Sequence, residues 1–168
     1  MKAKAKIYKF KYQAITDLFI QRVDCTEINI IQLINLFKFE NVVVGIDDVN
    51  KNDPLFLTMD QHNFKYTTSF DDGSLYTDVI LLTNIYNLEI IIHRIFESEI
   101  ESFFITNIAN QSQWEQFLYN RTPVRKLIKN KILDFHIGVI VNEAQIEISF
   151  NNNKYDFLNV VQEIKKIF

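Results

Sequence analysis

The sequence predicts an α+β fold: a single domain over residues 1–168, with a largely antiparallel sheet around a central β-meander packed against about four helices. The chain then ends in a hairpin plus a C-terminal amphipathic helix. Three observations lead there. Period-two alternation recurs at both ends of the chain, helix-start chemistry appears where that alternation stops, and no repeat, low-complexity tract or Pro/Ser linker divides the 168 residues.

Residues Ala3 to Lys11 alternate basic with apolar and read as a first strand, its lysines on the wet face; Leu18 to Val23 is a weaker second strand. Thr26 can cap a helix whose apolar positions Ile30, Ile31, Ile34 and Phe37 recur at helical spacing. Val42 to Ile46 is short and β-branched and stops at Asp47 and Asp48, which suits a buried strand. Pro54 opens a further short strand through Leu57.

The centre reads as a meander. Phe64 to Phe70 and Leu75 to Leu82 flank a turn at Asp71 to Ser74, where Gly73 accepts positive φ without steric cost. Asn84 to Asn87 turns the chain into a strand over Leu88 to Phe96, and Glu97 to Glu99 turns it again into Phe103 to Ile108. A helix from Leu75 to Phe96 competes with the two strands, because an apolar run carries no period of its own.

The last third is better punctuated. Ser112 and Glu115 form a capping-box pair before Trp114, Phe117 and Leu118, and Pro123 suits the first turn of the next helix. Ile137 to Val141 and Ala144 to Phe150 form a hairpin around Asn142 and Glu143, with Ala144, Ile146, Ile148 and Phe150 on one face. Phe157, Val160, Val161, Ile164 and Phe168 follow the spacing of an amphipathic helix.

Composition removes several function classes. One Cys excludes a disulfide framework or a Cys-based zinc site, and three Gly exclude the usual glycine-rich phosphate loops. The richness in Ile, Asn, Lys and Phe suggests an AT-rich genome, bacterial or viral. No signal-peptide run opens the sequence, and the most apolar stretch, Val79 to Phe96, is broken by polar residues, so a cytoplasmic chain without membrane contact is expected.

Charge is distributed unevenly. Residues 1–39 carry seven basic and three acidic side chains, residues 40–101 three basic and twelve acidic, and residues 102–168 eight basic and six acidic. The modest net charge of -3 therefore hides a strongly acidic centre. Its carboxylates fall where turns are expected, and alternate turns of a meander share one end of the sheet. A rim formed by Asp47, Asp48, Asp60, Asp71, Asp72, Glu97, Glu99 and Glu101, with Tyr76 as an aromatic anchor, would attract a basic protein.

Catalytic parts are scarce. Cys25 lacks a nucleophile's surroundings, the basic run from Arg121 to Lys131 reads as the wet face of a helix, and the spacing of the acids matches no calcium loop. The expectation is a non-catalytic, protein-binding inhibitor of the bacterial immunity or antitoxin type, neutralising a basic toxin such as a nuclease. No metal or cofactor is expected, nucleic acid is disfavoured, and a homo-oligomer is open. The alternatives are a small hydrolase or nuclease-like enzyme using His93 and His136 on a shared sheet, or a subunit of a larger assembly.

Overall fold

The computed structural model describes residues 5–12, 14–69, 74–98, 100–107 and 133–168. The helix-start signals at Ser112 and Pro123 and the basic run lie outside the described residues. Among those described, eight strands form one antiparallel sheet and four helices accompany it: β1 (Lys6–Tyr12), β2 (Ile15–Gln21), α1 (Glu27–Ile34), β3 (Asn41–Asn50), α2 (Pro54–Gln61), β4 (Lys65–Thr68), β5 (Tyr76–Asn84), α3 (Ile85–Glu97), β6 (Ser102–Asn107), β7 (Phe135–Ile140), β8 (Gln145–Asn151) and α4 (Phe157–Ile167). The α+β class and the terminal hairpin plus helix are as the sequence predicts.

The strand order is β1-β2-β8-β7-β6-β3-β5-β4. Two constructions meet at β6 and β7. Residues 41–107 run β-α-β-β-α-β with the order β6-β3-β5-β4, the split arrangement of ferredoxin-like units. The other half comes from both chain ends: β1-β2-α1 and β7-β8-α4 are each a hairpin followed by a helix, joined through β2 and β8.

One face of the sheet is apolar and carries the helices. Val42, Val44 and Ile46 of β3, Val79 and Leu81 of β5, Phe103 and Ile105 of β6, and Ile146, Ile148 and Phe150 of β8 are all buried there. They meet Leu33, Leu88, Ile92 and Ile164 from the helices in one core. Phe37, just after α1, stacks on Phe135 with centroids 4.7 Å apart and meets the ring of Tyr155 edge-on at 5.0 Å. On the opposite face Gly45 leaves room for the Phe104 ring, which a Cβ there would meet at 2.0 Å. Gly45 and Gly138 both flank Phe104 in the register, so the ring lies across the sheet.

Two predicted strands are helices. Pro54 to Leu57 is the first turn of α2: Asp53 Oδ1 accepts the Leu55 amide at 2.8 Å, and Pro at the start sacrifices no hydrogen bond. Leu88 to Phe96 lies within α3, where Leu88, Ile91, Ile92 and Ile95 bury one helical stripe. Asn84, expected in a turn, caps that helix by accepting the Asn87 amide at 3.0 Å. The competing helix over Leu75 to Phe96 is therefore half right, its first part being β5. The meander does not form, because β3 enters between β5 and β6. Nor does β3 stop at Asp47: a bulge between Ile46 and Val49 carries it on to Asn50.

Candidate functional site

In the antiparallel sheet, β3 finishes at the end where β6 begins, and the split topology also starts α2 and finishes α3 there. The β7–β8 turn reaches the same end. Together these five places enclose a cleft of about 1200 Å³ whose walls carry Asp47, Asp48, Asp53, Glu97, Glu101 and Glu143. Among the described residues that line it, Arg94 is the one cationic side chain, and Tyr76, 51% exposed, stands at its side.

Each carboxylate is placed by a specific device. Asp47 is exposed and accepts the Ser102 hydroxyl at 2.7 Å. Partial desolvation raises its pKa above the ordinary value, the Ser102 hydrogen bond opposes that, and Asp78 and Asp48 push it up further. Asp48 has a φ of 52°, a left-handed conformation that Asp tolerates better than most side chains, and its amide donates to Asp78 Oδ1 at 3.2 Å. The bulge thus turns two successive acids toward the cleft end instead of opposite faces. Asp53 caps α2 and also accepts the Ser98 hydroxyl at 2.9 Å, joining the start of α2 to the end of α3. Asn142 donates to Glu101 at 2.9 Å and Gln145 to Glu143 at 2.8 Å, which fixes the hairpin wall.

Five of the sequence-predicted partner-binding residues, Asp47, Asp48, Tyr76, Glu97 and Glu101, line this cleft. Asp60 does not. It lies near the far end of α2 and accepts the Tyr66 hydroxyl at 3.0 Å, because the residues after Pro54 wind as a helix and carry it to the opposite end of the sheet. Asp71, Asp72 and Glu99 lie outside the described residues. Sequence reasoning left Asp53, Arg94 and Glu143 out of the site. Asp53 was visible as an Asp before Pro, the start signal of a helix, and Glu143 as the tip of a predicted hairpin.

The histidine pair does not assemble. His93 is on α3 in the helical layer, whereas His136 alternates with the core residues Phe135 and Ile137 and so faces the other side of the sheet. His136 Nδ1 is sealed from solvent with no hydrogen-bond partner, and burial lowers the ring's pKa to about 4. Cys25 is a half-buried thiol pushed up to about 11 by burial and by Asp24, so it stays protonated and poorly nucleophilic at neutral pH. Among the described residues, no group of three His, Cys, Asp or Glu side chains is placed to hold a metal ion, and no helix is long and apolar enough to cross a membrane.

No family model matches the chain, and no curated protein matches it. Among solved structures it is similar to the regulatory subunit of aspartate kinase from Thermus thermophilus in its ligand-free form. That match has 6% identity and a TM-score of 0.29, and it covers 78% of this chain and 94% of that one. So loose a likeness bears on neither the cleft nor its ligand.

Proposed function

We propose that this chain is a non-catalytic binding protein that captures a cationic partner in the acidic cleft, as an inhibitor of the immunity or antitoxin kind would capture a basic toxin. The observation that carries the reading is the convergence of six carboxylates, from five separate places in the fold, on one concavity with a single cation among its described lining residues. Low-dielectric walls focus the field of such a group, which speeds capture of a positive partner and orients it. Tyr76 adds an exposed aromatic face on which a guanidinium can stack.

The test is calorimetric titration with a short oligoarginine peptide at low and high salt. The parent protein should bind with an affinity that falls steeply as salt rises. A variant carrying Asp47→Asn, Asp48→Asn and Glu101→Gln should bind at least about tenfold more weakly, since it removes three of the charges facing the peptide. Equal binding by the two proteins would reject the cleft as the site. The finer identity is tested by co-expression with the product of the gene immediately upstream: rescue of growth supports an immunity role, and persistent arrest excludes it for that pair.

A further inference from the structure

His93 touches two carboxylates at once. Its Nδ1 lies 3.0 Å from Glu27 Oε2 at the start of α1, and its Nε2 lies 3.2 Å from Glu97 Oε1 at the end of α3. A neutral imidazole has one N–H, so one of these contacts would set a nitrogen lone pair against a carboxylate oxygen. Only the imidazolium donates to both. The other oxygen of Glu97 already takes Arg94 Nη1 at 2.8 Å, so with His93 protonated both oxygens of this cleft carboxylate are occupied.

We infer that His93 is a proton-dependent latch: protonated, it ties α1 to α3 and occupies Glu97; deprotonated, it gives one Glu97 oxygen back to the cleft and removes a neighbouring positive charge. This regulation rests on the cation-binding reading above. The charged groups that face the ring are Glu27 from α1, and Glu97 and Arg94 from α3 itself. Near them, α2 meets α3 through the Thr58 hydroxyl, which accepts from Arg94 Nε at 3.0 Å. The Glu27 hydrogen bond first, then the charges of Glu97 and Glu27, raise the ring's pKa above its ordinary 6.5, while partial desolvation and Arg94 work against them. A raised folded-state pKa means that the latch is still mostly closed at pH 6.5 and opens as pH rises through the ring's own, higher value.

Two measurements test this on the full chain. In an NMR titration, His93 should carry protons on both ring nitrogens at pH 6, titrate above 6.5, and shift back toward 6.5 in Glu27→Gln. A titration at or below 6.5 in the parent, or one unmoved by Glu27→Gln, overturns the latch. In the second, affinity for the oligoarginine peptide is followed from pH 6 to 8.5. It should rise about two- to fivefold in the parent, the range that one exposed ion pair spans, and stay flat in His93→Gln. The same rise in both proteins overturns the regulatory link. If the peptide binds neither protein at any pH, the cation-binding reading fails and the regulation with it, while the NMR result still decides whether the latch exists.

Discussion

The two halves of the sheet divide the work. The ferredoxin-like half, residues 41–107, gathers acids at one end through a bulge, a helix cap and a helix terminus. The half made from the chain ends closes around Phe37, Phe135, Phe150 and Tyr155, rings in mutual contact at 4.7 to 6.4 Å. A charged cleft is poor at holding a fold together, because its carboxylates repel one another and are partly desolvated. An aromatic cluster is the reverse, with large apolar burial and no charge to satisfy. Substitutions should therefore separate: those in the aromatic cluster cost stability, and those of the cleft carboxylates cost partner capture.

The largest expected effect is in the aromatic half. Phe135 is fully buried between Phe37, Phe39 and Tyr155. Phe135→Ala should cost about 3–5 kcal/mol in urea unfolding, lost transfer energy plus the residual cavity. A cost below about 1 kcal/mol would mean that the cluster is not the structural centre of its half.

Next comes a contact inside the ferredoxin-like half, between β3 and β6. At Gly45 the Phe104 ring occupies the space of a side chain. Gly45→Ala should destabilise by about 1–3 kcal/mol through overpacking, and the double variant with Phe104→Ala should recover part of that loss. Simple additivity of the two single effects would show that the ring has somewhere else to go.

His136 makes stability depend on pH. Its folded-state pKa, about 4, lies below the ordinary 6.5, so the unfolded chain binds the proton more tightly between those values. Stability should fall as pH drops from about 6.5 toward 4, by at most about 3 kcal/mol. His136→Leu should flatten that part of the profile; an unchanged slope would assign it to other groups. His93 has the opposite sign, its contribution being present at low pH and lost as pH rises.

The same contrast explains what the sequence made legible. Strands of the terminal half alternate strictly, as in Gln145 to Phe150, because one face is wet and the other is core. In the ferredoxin-like half, β5 runs directly into α3 with only the Asn84 cap between them, and that cap resembles a turn residue. The charge asymmetry was readable and a shared acidic rim was expected from it, but from a meander that does not form; the arrangement that gathers the acids was not legible. It depends on β3 inserting between β5 and β6, a long-range pairing that local pattern does not encode, and on Glu143 arriving from the far end of the chain.

The smallest effect on stability is also the sharpest test of the division, and it falls at Asp47. Partial desolvation and the charges of Asp78 and Asp48 raise its pKa in the folded state. For a carboxylate, a raised value means that the ionised form is disfavoured by folding, so its charge opposes stability at neutral pH and that opposition is relieved as pH falls through the folded value. Asp47→Asn keeps an acceptor for Ser102 while removing the repulsion. It should therefore leave unfolding within about 0.5 kcal/mol of the parent, or slightly on the stable side. The same change should weaken oligoarginine binding several-fold. A carboxylate kept against the fold's own interest marks a group held for a ligand, whereas a loss of stability with no change in binding would make Asp47 an ordinary structural acceptor for Ser102.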